Sequence, residues 1–374
     1  MNSRIWISPP DMTGEELKYI QNSLSENWVS SVGPHIDEFE GVLQGYLGNK
    51  TEVVALNSGT SAIHLALIQL GVKQGDEVIC QSFTFSASAN PILYLGAIPI
   101  FVDSEKDTWN ICPQLLEEAI KDRISKGKKP KAILAVHLYG MPYKIDEVHY
   151  VAKKYDIPII EDAAEALGSE YKGRKCGTFG DIGILSFNGN KIITTSAGGA
   201  LICNSKEIKN KIIHLATQAK DDAPHYQHSK VGYNYRISNV LSGIGLAQMK
   251  VIGKRVASRR KNYNFYFSNL DKLPTISFLE EFEGSFANRW MTCILTESYD
   301  FRENLRLTLE NNNIESKPLW KPLHEQPIFS EFPSYLSGVS SSLFKRGLCL
   351  PSGSTLSIKE LETILLTINK IVNI

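Results

Sequence analysis

An excess of charge of either sign is missing from this sequence: forty Lys and Arg stand against forty Asp and Glu, and its 374 residues carry no formal net charge. Binders of nucleic acid or acidic membranes need a broad basic field, which this balance excludes. Long apolar runs are missing too. None is long enough to cross a bilayer, and the start, Met1-Asn2-Ser3-Arg4-Ile5-Trp6-Ile7-Ser8-Pro9-Pro10, lacks the apolar core of a signal peptide. Cysteines are few. Cys80, Cys112, Cys176, Cys203, Cys293 and Cys349 are scattered, with no Cys-x-x-Cys pair. That pattern suits neither a zinc site nor a disulfide framework, and it points to a reducing, cytoplasmic compartment. His225 and His228 are three apart, but Pro224 breaks any helix there, so no metal site is expected.

What is present is an ordinary globular composition, 43% hydrophobic and 21% charged. At roughly 150 residues per domain the length predicts two domains. A helix should start where Thr13 and Glu16 form a capping box ahead of Leu17, Ile20 and Leu24. Another is expected over 36–47. From residue 52 onward short apolar runs (53–56, 78–80, 98–102, 132–136, 157–160, 182–187, 200–203) alternate with helix-length segments (61–70, 87–95, 113–124, 145–155). Such alternation predicts an α/β fold whose mostly parallel sheet is sandwiched by helices. After about residue 238 the texture changes to long helices (238–252, 255–270), a strand (290–295) and two further helices (301–312, 358–371). The expected division is therefore an N-terminal stretch with a large α/β domain over 1–240, and a smaller α+β domain over 241–374.

Four segments suggest chemistry. Asn57-Ser58-Gly59-Thr60-Ser61 lies between a strand and a helix, where backbone N–H groups and the helix dipole favour an anion such as phosphate, although a plain Ser cap reads the same way. Glu161-Asp162-Ala163-Ala164-Glu165 follows an apolar strand, at the sheet edge where open α/β folds bind ligands. Ser186-Phe187-Asn188-Gly189-Asn190-Lys191 ends in a lysine among small residues, which becomes a nucleophile for carbonyl carbon if its amine is desolvated. Gly232-Tyr233-Asn234-Tyr235-Arg236 precedes a helix, and packing alone could explain it. Together these supply an anion cradle, a carboxylate and a lysine, the three parts that pyridoxal phosphate requires.

With Trp28–Pro34 at one end and Lys317-Pro318-Leu319-Trp320-Lys321-Pro322-Leu323-His324 at the other, this ordered series resembles the DegT/DnrJ/EryC1/StrS nucleotide-sugar aminotransferases of pyridoxal-phosphate fold type I. The resemblance implies that Lys191 carries the cofactor as a Schiff base and that Asp162 pairs with its ring nitrogen. It implies that the Gly59 and Thr60 amides, with the Thr60 and Ser186 hydroxyls, hold the phosphate, with Ser58 and Asn188 also in the cofactor-binding set. Phe85 would stack on the ring and Glu165 would lie near its hydroxyl. Asn234 would reach the phosphate of a neighbouring subunit, so a homodimer with shared active sites is expected. Lys317, Trp320 and His324 are the substrate candidates.

Residues 187–195 and 318–324 look most like UDP-N-acetylbacillosamine aminotransferases. That likeness implies amino transfer, from L-glutamate, to a UDP-linked 4-keto-6-deoxy-N-acetylhexosamine for cell-surface glycan synthesis. The run 161–168 is shared with GDP-perosamine synthases, which leaves a GDP-linked 4-keto sugar open. Two rivals are weaker. Pyridoxamine-dependent sugar dehydratases replace the lysine, typically by His, and a non-catalytic cofactor-binding regulator would show no spectral change with amino donors.

Overall fold

The computed structural model describes residues 4–48 and 50–372. Its centre is an eight-stranded sheet. From one edge to the other the strands are Glu52–Leu56, Gly199–Cys203, Ile182–Ser186, Ile159–Asp162, Ala132–Val136, Glu77–Gln81, Ile98–Val102 and Ser334–Tyr335. Gly199–Cys203 alone among them runs against the rest. All seven apolar runs predicted as strands pair in this sheet, within a residue or two at each end.

Helices cover both faces, so both faces of each strand must be apolar. Ile79, Ile100, Ile133 and Ile159 lie side by side in register. They pack, fully buried or nearly so, beneath Leu116, Ile120 and Val148 of the helices Pro113–Ser125 and Ile145–Tyr155. Val78 and Cys80, of opposite pleat, face Leu65 and Ala66 of the helix Gly59–Gln69. Each such isoleucine contributes about 1.5–3 kcal/mol on burial.

A second sheet, Ile276–Phe278, Thr292–Thr296, Gly347–Leu350 and Lys317–Pro318, is antiparallel. The helices Ile252–Leu270, Tyr299–Asn311 and Ile358–Val372 pack on it around Tyr266, Leu305 and Ile364. Backbone pairings join the halves of the chain. Ser334–Tyr335 adds to the large sheet beside Ile98–Val102, and Ile5 bridges to Ile314.

The first helix departs from expectation. Glu16 does accept from Thr13 N at 2.8 Å, but Thr13 Oγ1 accepts from Glu15 N, and the helix itself spans Glu16–Ser25. Leu17 and Leu24 are exposed at 62% and 60%. The buried side is Glu16 and Ser23, which hydrogen-bond to Gln248 and Asn239. Polar partners across the helix interface, not the apolar spacing, decide which face turns inward. Among the described residues no helix is long and apolar enough to cross a membrane.

Candidate active site

The carboxyl ends of the parallel strands open into a cavity of about 320 Å³. Asn57 and Ser58 follow Glu52–Leu56, Asp162 ends its strand and Ser186 ends another, so pleat and register deliver all of them to one edge. Ser58 Oγ caps the helix Gly59–Gln69 by accepting from Ser61 N at 3.0 Å. The capping reading is therefore correct for that side chain. The Gly59 and Thr60 amides, which lie in the first helical turn and have no partner within the helix, border the cavity.

Backbone packs closely around this turn, and most closely at Gly199. A Cβ on Gly59 would come 3.2 Å from Ser186 Cβ, and one on Gly199 would come 2.4 Å from Gly59 N. The strand Gly199–Cys203 lies directly against the helix start, and any side chain there would displace the amides.

Asp162 sits across the cavity, 5% exposed. Its Oδ2 accepts from Ser88 Oγ at 2.7 Å and its Oδ1 from Ala164 N at 3.2 Å. Lys191 enters from the loop after Ile182–Ser186. Its amine lies 3.5 Å from Glu165 Oε1 and 4.3 Å from the centre of the Trp290 ring. Glu165 Oε2 accepts from Tyr139 N at 2.7 Å, a geometry that depends on the left-handed Tyr139 backbone, φ 54°. Burial pushes the Glu165 carboxyl above the usual carboxylate range, and the Lys191 charge offsets this in part.

An aromatic wall closes the site. The Tyr139 ring stacks between Trp290 and Trp320 at 6.3 and 6.2 Å, and Trp320 meets Phe85 at 5.3 Å. Tyr139 OH also accepts from Trp320 N at 2.8 Å. Beyond Trp290, Trp320 and Asn190 lies a second cavity of about 690 Å³, bordered by Trp6, Pro9 and Lys317.

The structure thus gathers Ser58, Gly59, Thr60, Phe85, Asp162, Glu165, Ser186, Asn188 and Lys191 around one cavity, with Trp320 shared between the two. Lys317 borders the second cavity only, beside Glu315 at 3.4 Å. His324 borders neither; it bonds Ser82 Oγ through Nδ1 at 2.7 Å, and burial pushes its pKa down. Asn234 is exposed, and its carbonyl accepts from Asn57 Nδ2 at 3.2 Å. Ser88, Tyr139, Asn190 and Trp290 were not anticipated. Ser88 lies three residues past Phe85, whereas Trp290 comes from the far half of the chain and leaves no local signal.

The donor set fits pyridoxal phosphate: an amide cradle at a helix start, a supported carboxylate opposite it, and a sheltered lysine between aromatic and acidic neighbours. The DegT/DnrJ/EryC1/StrS aminotransferase family matches residues 10–369. EpsN of Bacillus subtilis (strain 168), a pyridoxal phosphate-dependent aminotransferase by name, is 47% identical over 364 residues, 96% of this chain and 94% of its own. The GDP-perosamine synthase of Escherichia coli O157:H7 is 38% identical over 363 residues, 96% of each. A crystal structure of a DegT DnrJ EryC1 StrS aminotransferase from Brucella abortus superposes with a TM-score of 0.90 at 28% identity, over 96% of both chains. With cavity, cradle and lysine in place along the matched length, the chain belongs to the DegT/DnrJ/EryC1/StrS aminotransferase family and is a pyridoxal-phosphate-dependent sugar aminotransferase.

Proposed function

We propose that the protein moves an amino group from L-glutamate to the 4-keto group of a UDP-linked 4-keto-6-deoxy-N-acetylhexosamine, for cell-surface glycan synthesis. The observation that carries this reading is the meeting of the Gly59–Thr60 cradle, Asp162 and Lys191 in one cavity. When bound, the cofactor supplies an aldehyde that takes up the amino group and a ring that draws electrons from the carbon losing its proton.

The Gly59 and Thr60 amides, with the Thr60 and Ser186 hydroxyls, bind the phosphate. Asp162, whose carboxylate accepts from Ser88 Oγ and Ala164 N, would pair with the ring nitrogen. Lys191 Nζ takes the α-proton of the amino acid and returns it to the cofactor side, as base and then acid; the sugar half-reaction reverses the order. Phe85 and Trp320 shield the site from water. In this reading Asn234, exposed on its own protomer, completes the phosphate site of a second copy, so the working unit is a homodimer. Lys317 and Trp320, which border the second cavity, contact the sugar nucleotide, whereas His324 borders neither cavity and is held by Ser82.

The preference for UDP rests on the likeness of residues 187–195 and 318–324 to UDP-N-acetylbacillosamine aminotransferases. A GDP-linked 4-keto-6-deoxyhexose is the second reading, favoured by the 38% identity to a GDP-perosamine synthase. Purified protein should be yellow, bleach with L-glutamate, and regain colour with the UDP-linked keto sugar. Recovery with the GDP-linked sugar alone selects the second reading; no bleaching with any amino donor rejects both.

A further inference from the structure

Arg259, in the middle of the helix Ile252–Leu270, is 1% exposed, yet among the described residues no carboxylate pairs with it. Burial pushes its pKa down to about 10. An unpaired buried guanidinium costs several kcal/mol, so its hydrogen bonds matter. Nη1 donates to the Trp290 carbonyl at 2.6 Å and Nη2 to Ser8 Oγ at 2.9 Å. Ser8 Oγ in turn donates to the Asn190 carbonyl at 2.8 Å, and Trp290 Nε1 donates to that same oxygen at 2.7 Å. The four residues form a closed ring.

Asn190 O belongs to the peptide that leads into Lys191. Both of its lone pairs are engaged by side chains from distant parts of the chain, one N-terminal and one from the far half. On the other side of the same peptide, Lys191 N donates to the Asn188 carbonyl at 3.0 Å. A planar peptide held on both sides fixes where the next Cα–Cβ bond points. The Trp290 ring that supplies one of these bonds also faces the Lys191 amine at 4.3 Å.

We propose that Arg259, through Ser8 and Trp290, is a positioning residue for Lys191: the ring on the Asn190 carbonyl sets the aim of the amine. This rests on the reading of Lys191 as the cofactor-bearing lysine. Arg259 borders neither cavity, so its influence on the reaction must pass through the ring.

The test uses the holoenzyme with Arg259→Lys, which keeps the charge but cannot span both acceptors, and with Ser8→Ala, which removes one hydroxyl should the first variant fail to fold. Each should lower kcat about tenfold with KM for the sugar nucleotide changed less than about twofold, because misaim by a fraction of an ångström acts on the reacting geometry. Each should also move the midpoint of the pH titration of the bound cofactor's visible absorbance. A folded variant with kcat and midpoint both unchanged overturns the proposal, as does a loss confined to thermal stability or KM. Borohydride reduction and peptide mapping separate the two failures. Label on another lysine defeats the assignment of Lys191, whereas label on Lys191 with unaffected variants defeats only the positioning role.

Discussion

The Lys191 amine lies 3.5 Å from Glu165 Oε1, with both side chains largely withdrawn from water. Position 165 thus lies within reach of the lysine proposed to carry the cofactor. A carboxylate there holds the amine toward the floor of the site, and its own ionisation is opposed by burial.

That opposition sets a pH dependence. The Glu165 carboxyl titrates above its ordinary 4.5, so the folded state holds more protons than the unfolded state between 4.5 and the raised value. Its protonation therefore favours the fold fully below 4.5, and this contribution is lost as pH rises through the folded pKa. Glu165→Gln cannot lose it. Melting of the cofactor-free proteins across a pH series should show the Gln variant gaining on wild type as pH rises from 4.5. A constant difference across the series would refute the raised pKa.

Lys191→Ala should leave the circular dichroism spectrum and the melting temperature of the cofactor-free protein close to wild type, since the side chain lines the cavity rather than filling the packed core. Turnover should fall by at least about 10³-fold, because among the described residues no other lysine borders the cavity to form the bond and carry the proton. Steady-state assay with the keto sugar nucleotide decides it; an active variant would defeat the assignment.

Asp162→Asn removes the carboxylate proposed to pair with the ring nitrogen while keeping the volume, and should cost about 10²–10³-fold in kcat. Ser88→Ala removes the donor to Oδ2, along with the Ser88 bond to Thr84 Oγ1, and should cost about five- to tenfold, the loss expected for one charge-assisted bond. The order matters more than the values. If Ser88→Ala were as damaging as Asp162→Asn, Ser88 would have a role beyond supporting the carboxylate.

Gly199→Ala places a methyl 2.4 Å from Gly59 N, where only backbone stands in its way. Overpacking of that kind costs about 1–3 kcal/mol. A lower melting temperature together with weaker phosphate binding by the cofactor-free protein is expected. A variant that binds pyridoxal phosphate as tightly as wild type would show that the cradle tolerates displacement.

Much of this was legible in the sequence, for a physical reason in each case. Strands 98–102 and 132–136 read as strands because a parallel strand covered on both faces must be apolar at every position. Asp162 and Lys191 stood out because each ends or follows such a run, at the edge where ligands bind. The first helix shows the limit: Leu17 and Leu24 follow helical spacing, yet they face solvent, since Gln248 and Asn239 claim the polar side.

The order of motifs along the chain was enough to determine the α/β architecture, the cofactor and the family, because those depend on local pattern: apolar runs, a small-residue helix start, a carboxylate and a lysine after strands. Only the tertiary structure decided what surrounds the lysine. Ser88 under Asp162, Tyr139 between two tryptophans, and the ring of Arg259, Ser8, Asn190 and Trp290 join residues up to 251 positions apart. No local propensity encodes such contacts, since they exist only once the large sheet, the N-terminal segment and the second sheet have packed together.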